Sequence, residues 1–475
     1  MPEPHVLVVD LDGTLISTDL LYESFWSVLS RDFRVATAAF AGLVKGRARL
    51  KARLARECEL DPSTLPYNET VVELVREWRN KGGRAVLYTA SDQRLAQSVA
   101  DHLGLFDEVC GSDGERNLKG AAKADALRQR FGEDRFDYVG DSRADLPVWR
   151  VARRTITVGA GDALKASVED MGKETSHLDA PRPSIGAYLR ALRPHQWLKN
   201  ILIFLPMIAA HDMSGETWLA ALLAFVSFCL VASSVYVLND LMDLEADRAH
   251  PRKKHRPFAS GTVPLSHGTA MAPGLLILGI LVALAVGRID FLLVMAAYYG
   301  LTIAYSSFFK RKLIIDICTL AGLYTMRIIA GGAATGLTLS VWLLAFSIFF
   351  FLSLAAIKRQ AELVDSMSSG REQASGRAYM VDDLPIVAMI AIAAGYVAVF
   401  VMALYINSPA VQTLYSNPKY LWGVCPILLY WISRLVMIAH RGKMDDDPIV
   451  YAIRDRTSLF CGLVVSLIVV AAGLS

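Results

Sequence analysis

The chain has 475 residues, a net charge of only +3, 53% hydrophobic residues and 20% charged ones. That length exceeds one typical domain of roughly 100–200 residues. The weak charge, with no basic stripe interleaved with aromatics, argues against nucleic-acid binding. Six scattered cysteines form no CxxC pair, so neither a zinc site nor a disulfide framework is indicated.

The N-terminus, MPEPHVLVVDLDGT, lacks the basic region and long apolar run of a signal peptide. HVLVVD, RAVLYTA, FDYVGD and RTITVGA follow one another as short apolar runs ending in polar residues, with helical stretches between them. This alternation predicts an α/β domain over residues 1–160 with a parallel sheet covered by helices. Residues 161–183 read as a polar linker ending in APRPS, and SIGAYLRALRPHQW (184–197) as an amphipathic helix at a membrane surface.

From there to residue 475 the chain reads as an all-α, polytopic membrane domain. Nine candidate spans lie near 198–211, 217–238, 270–287, 290–308, 313–333, 338–357, 384–405, 419–438 and 457–474; a span needs about 20 apolar residues. Alternate loops are basic, carrying for example Arg252, Lys253 and Lys254, then Lys310, Arg311 and Lys312, then Arg441 and Lys443, while the other loops hold only Arg288 and Lys419. Basic loops stay on the cytoplasmic side. Nine spans then place the N-terminal domain in the cytoplasm of a bacterial-type plasma membrane and the C-terminus outside.

Two acidic constellations carry the candidate chemistry. Asp10 and Asp12 end the first strand, Thr89 and Ser91 follow the second apolar run, Lys119 lies in NLKG, and Asp141 and Asp145 lie in GDSRAD. Paired carboxylates hold Mg²⁺ or serve as nucleophile and proton shuttle, while a hydroxyl and a lysine offset phosphoryl charge. The second cluster is Asn239, Asp240, Asp243 and Asp247, spaced so that 239, 243 and 247 share one helix face. Acids at a membrane helix end need a reason, and metal-bound pyrophosphate supplies one. PRKKHRPFASG follows directly, and its Lys254 and Arg256 suit phosphate oxygens.

In order, DLDGT, Thr89, Lys119 and GDSRAD resemble the four motifs of the haloacid dehalogenase (HAD) superfamily. The resemblance implies Asp10 as nucleophile, Asp12 as general acid/base, Thr89 and Lys119 as phosphate binders, and Asp10, Asp12, Asp141 and Asp145 around Mg²⁺. It also implies a small helical cap at about 20–65. NDLMDLEAD resembles the first motif of the UbiA superfamily, NDxxDxxxD, which implies Mg²⁺ and a diphosphate at Asn239, Asp243 and Asp247. The usual second motif, DxxxD, is broken: Asp316 is followed four residues later by Leu320.

LRPHQWLKN, VYVLNDLMDLEADRAHPRKKHRPFASG, AAIKRQAEL and DDDPIVYAIRDRTS are similar to the decaprenyl-phosphate phosphoribosyltransferase branch. That implies phosphoribosyl pyrophosphate (PRPP) as donor and a polyprenyl phosphate as acceptor, among membrane lipids. Lys199, Asp240, Lys254, Arg256, Tyr305, Arg327, Lys358 and Arg359 are the candidate substrate-binding residues, each site takes one Mg²⁺, and a homo-oligomer is compatible with the pattern. A prenyltransferase using a prenyl diphosphate, or a transporter or scaffold with a regulatory HAD domain, is the alternative reading.

Overall fold

In a computed structural model of the chain, residues 5–31, 47–113, 117–180, 183–373, 377–444 and 447–474 are described. By internal contacts the chain forms two units, Met1–Arg193 with Tyr236–Gly274, and Pro194–Val235 with Leu275–Ser475. The segment 236–274, expected within the membrane domain, therefore packs with the N-terminal part.

The first unit is built on a six-stranded sheet of order β3-β2-β1-β4-β5-β6. Its strands are β1 (Val6–Val9), β2 (Arg84–Asp92), β3 (Glu108–Ser112), β4 (Phe136–Gly140), β5 (Arg154–Val158) and β6 (Glu174–Leu178). Every pairing is parallel. In β1, Leu7 and Val9 join one apolar cluster and Val6 and Val8 the other, so the strand is buried on both faces. This explains the unbroken apolar run in its sequence. Each such side chain contributes about 1.5–3 kcal/mol when fully buried. The chain leaves β1 for β2 and β3, then returns to β4 on β1's other side, which opens a crevice at the carboxyl ends of β1 and β4.

Residues 161–183, read from sequence as a linker, instead contribute the helix Asp162–Glu169 and the edge strand β6. Polar cross-strand pairs hold that strand: the Thr155 and Thr175 hydroxyls lie 2.7 Å apart, and Thr157 lies 2.7 Å from His177 Nδ1. An edge strand of this kind has no apolar signature to read. The expected cap contains helices Leu20–Arg31 and Arg47–Glu57, with Val28, Leu50 and Leu54 at their contact; its residues 32–46 lie outside the described ones.

The amphipathic helix is shorter than expected, Ile185–Leu192, capped by Ser184 and closed by Arg193 at φ +54°. It buries Ala187 and Ala191 and exposes Ile185 and Leu189, four residues apart on one face.

Among the described residues, eight helices are long and apolar enough to cross a membrane, from Gly215–Met242 to Arg456–Gly473. The expected first span, 198–211, differs: it is a 3-10 stretch Pro194–Phe204 followed by the short helix Leu205–Ala209. Pro206, inside the expected span, lacks the N–H that a continuous α-helix uses.

Candidate active sites in the two units

At the end of β1, Asp10 Oδ1 accepts the Leu11 N–H at 2.9 Å and lies 2.8 Å from Lys123 Nζ. Lys123 also lies 3.7 Å from Asp145 and donates to the Tyr138 hydroxyl. Asp145 is fixed by Tyr138 and by the Ser142 hydroxyl and N–H. Asp12 accepts the Leu20 N–H at 2.9 Å and the Ser91 hydroxyl. Gly13 lies at φ +74°, where a Cβ would sit 2.3 Å from Asp141 Oδ2. Both the backbone conformation and the carboxylate's approach require glycine there.

Asp10, Asp141 and Asp145 each offer a carboxylate oxygen, all within 4.8 Å of one another. Burial pushes the Asp10 carboxyl above the usual range despite Lys123. Burial, then Asp10 and Asp145, raise Asp141 well above it. Burial, then Asp19, lifts Asp12 to about 7. Crowded, partly uncompensated oxygen ligands of this kind fit a small hard cation. A carboxyl near neutrality suits proton transfer.

A cavity of about 340 Å³ opens over these groups, and Asp10, Asp12, Lys119, Lys123, Asp141 and Asp145 all line it. Thr89 lies deeper, fully buried, its hydroxyl accepting the Ser91 N–H at 3.0 Å. Two cations were not singled out from the sequence. Lys123 sits on the buried face of helix Ala121–Phe131 beside Ala124 and Leu127. A lysine at an apolar helix position was the available signal. Lys51, from the cap, lines the cavity and donates to the Ala90 carbonyl at 2.8 Å; burial lowers its pKa.

The second acidic cluster bends where helix Gly215–Met242 meets helix Leu244–Ala249. Helical hydrogen bonding nevertheless runs through, from the Asp243 N–H to the Asn239 carbonyl and from the Asp247 N–H to the Asp243 carbonyl. Asn239 and Asp243 are half-buried, and Asp240 and Asp247 are buried. Arg256 bridges Asp240 at 3.2 Å and Asp247 at 2.6 Å, and Arg193 pairs with Asp240 as well. Lys254 is exposed on the turn Lys253–His255.

In the second unit, Lys199 lies 2.5 Å and Lys358 3.5 Å from Asp447. Burial opposes ionisation of Asp447, but the two lysines hold it down at about 2. Arg327 is buried, donating to Asn200, Tyr298 and the Leu323 carbonyl. Arg359 is fully buried and paired with Asp316 at 2.8 Å and with Glu362. Tyr305 donates to Asp316, which also takes Arg377 at 3.1 Å. Arg359 and Tyr305 thus hold an internal acid. Lys199 and Lys358, expected from sequence to bind phosphate, both pair with Asp447, which lies 248 residues from Lys199.

Residues 200–460 match the UbiA prenyltransferase family, and residues 7–150 match the haloacid dehalogenase-like hydrolases. The chain belongs to the UbiA prenyltransferase family. It is a UbiA-type enzyme with an N-terminal HAD-like hydrolase domain. It is 36% identical over 464 residues to the uncharacterized protein y4nM of Sinorhizobium fredii, covering 97% of this chain and 89% of that one. It is 40% identical over 286 residues to the nodulation protein NoeC of Azorhizobium caulinodans, covering 59% of this chain and 92% of that one. It is 40% identical over 188 residues to decaprenyl-phosphate phosphoribosyltransferase of Mycolicibacterium smegmatis, covering 38% of this chain and 59% of that one. The UbiA match takes in Asp243 and Asp247 and also Lys358 and Asp447, and Lys199 immediately precedes it.

Proposed function

We propose that this enzyme transfers 5-phosphoribose from PRPP to a polyprenyl phosphate and then removes the 5-phosphate, giving polyprenyl-phosphoryl ribose for cell-envelope glycan synthesis. One observation carries the choice of donor. Asp316, which stands where a second acidic motif would begin, has Leu320 in place of the second acid and is itself fully buried against Arg359 and Arg377. Leu320 thus leaves Asp316 without the second acid that this motif uses for a prenyl diphosphate. The similarity to decaprenyl-phosphate phosphoribosyltransferase supports the same choice.

In the transfer step, a phosphate oxygen of the lipid attacks ribose C1, the bond from C1 to the pyrophosphate oxygen breaks, and pyrophosphate leaves. Asn239, Asp243 and Asp247 are assigned to the metal-bound pyrophosphate, and Arg256 and Lys254 to its oxygens. Lys199 and Lys358 are assigned to phosphate. Asp240 keeps Arg256 in place, and Arg327, Tyr305 and Arg359 position their neighbours.

In the hydrolytic step Asp10 attacks phosphorus, the bond from phosphorus to the ribose 5-oxygen breaks, and Asp12 gives that oxygen a proton. Water then attacks the aspartyl phosphate, Asp12 takes its proton, and phosphate is released. Lys123, Lys119 and the buried Thr89 region offset the charge on the phosphoryl oxygens. Mg²⁺, held by Asp10, Asp141 and Asp145 in one site and by Asn239, Asp243 and Asp247 in the other, would neutralise phosphate charge. The basic loops support both sites facing the cytoplasm.

The test is mass spectrometry of lipids formed from labelled PRPP and polyprenyl phosphate. Wild type should yield the ribosyl lipid and Asp10→Asn the 5-phosphorylated lipid. Absence of label from PRPP sinks the transfer, and absence of the phosphorylated species in the variant sinks the coupling.

A further inference from the structure

The hydrolytic cavity has a wall that the HAD-like region does not supply. Asp10, Lys123 and Asp141 form its floor, Thr18 and Lys51 its cap side, and Pro264, Leu265 and Ser266 a third side. The last three lie in the UbiA-matching sequence, beyond residues 7–150. Leu265 also begins the helix Leu265–Val286, which has the length and apolarity to cross a membrane.

This wall is tied to the cap. Glu23 and Arg248, each nearly sealed from solvent, pair through the two terminal guanidinium nitrogens at 2.6 and 3.1 Å. Glu23 also accepts the Thr18 hydroxyl at 2.6 Å, and Arg248 Nε donates to the Ala259 carbonyl at 2.9 Å. The Trp26 indole donates to Thr269 at 3.0 Å. Gly261 lies so near the cap loop that a Cβ would stand 2.6 Å from the Ser17 carbonyl oxygen. A buried ion pair holds only while both partners remain, so the wall and the cavity loop are fixed together.

Beside the wall, the Tyr188 hydroxyl lies 2.6 Å from His267 Nδ1, and the two rings stack. Tyr188 belongs to the helix that exposes Ile185 and Leu189. An exposed apolar helical face and the start of a membrane-length helix thus flank one side of the cavity. At about 340 Å³ the cavity is at the small end of ligand pockets. It suits a phosphorylated sugar and leaves a long lipid outside.

We propose that Pro264, Leu265 and Ser266 form the leaving-group subsite of the hydrolase. The phosphoryl group lies on Asp10 and Lys123, the sugar alcohol lies on this wall, and the preferred substrate is a sugar phosphate anchored to a membrane lipid. The proposal rests on the bifunctional reading only for the identity of the sugar. Specificity of the soluble-looking enzyme is then set by residues of the UbiA-matching sequence.

The test uses the full chain in lipid nanodiscs and follows phosphate release from acetyl phosphate, ribose 5-phosphate and synthetic polyprenyl-phosphoryl 5-phosphoribose. Ser266→Tyr should leave kcat/KM for acetyl phosphate within about twofold and lower it at least about tenfold for both sugar phosphates. Equal effects on all three substrates, or none on the sugar phosphates, overturn the subsite. Where Ser266→Tyr does not accumulate, Trp26→Phe removes the indole N–H that ties the cap to Thr269 and keeps an aromatic ring in its place. It should raise KM for ribose 5-phosphate about threefold with acetyl phosphate unchanged, and an unchanged ratio between these substrates overturns the proposal. Wild type that prefers free ribose 5-phosphate overturns the lipid preference. A preference for the lipid-linked substrate without accumulation in Asp10→Asn would sink the bifunctional sequence and leave the subsite standing.

Discussion

At the carboxyl ends of β1 and β4, Asp10, Asp12, Asp141 and Asp145 crowd around one buried ammonium, Lys123. At the end of helix Gly215–Met242, Asp240 and Asp247 are instead held by Arg193 and Arg256. The first cluster carries excess negative charge that burial turns into raised carboxyl pKa values. In the second, guanidinium groups already balance the acids. Charge balance therefore separates two sites that look alike as acidic motifs. The first is short of positive charge, and in the second the buried acids are already paired.

Substitutions can break this contrast. The largest effect should come from Asp10→Asn, which removes the proposed nucleophile: phosphate release should fall about 10³-fold or more, while the proposed transfer from PRPP should stay within about twofold. Parallel loss of both activities, measured on the same preparation, would mean that the sites are not chemically separate. Next, Asp247→Ala should lower transfer about 10²-fold and leave acetyl phosphate hydrolysis intact. Unchanged transfer and unchanged Mg²⁺ dependence would remove the second cluster from the chemistry.

A sharper comparison sets Lys123→Met against Lys119→Met. The buried lysine touching Asp10 should cost about 10²-fold in hydrolysis, and the loop lysine only a few-fold. The reverse order in steady-state kinetics would restore the motif lysine read from sequence. The smallest effect on rate is expected for Gly13→Ala. It strains a φ of +74° and crowds Asp141, so it should raise the Mg²⁺ concentration needed for half-maximal hydrolysis and lower stability by about 1–3 kcal/mol. An unchanged Mg²⁺ titration would show that Asp141 tolerates displacement.

Much of this was legible in the chain. β1, β2, β4 and β5 announce themselves because central strands of a covered parallel sheet are apolar throughout. β3 and β6 do not, because EVCGS and ETSHL occupy sheet edges and carry polar or small residues. The motif aspartates were readable as strand-end residues, whereas Lys123 owes its role to a contact with Asp10 across the fold. Asp447 was visible only as part of a similar block, since its lysine partners lie far away in sequence. The amphipathic helix was readable from its pattern but not its end, which a left-handed Arg193 closes before Pro194.

The two lysines on Asp447 have a consequence for acid tolerance. A carboxyl held near 2 contributes its stabilisation above the ordinary carboxylate range near 4 and loses it only as pH falls through about 2. Well above pH 2 the carboxylate stays ionised between Lys199 and Lys358. Two ammonium groups facing a single permanent anion leave surplus positive charge. On the proposed reading this surplus is the charge offered to a phosphate, and the Asp447 carboxylate that sets it is unchanged by pH well above 2.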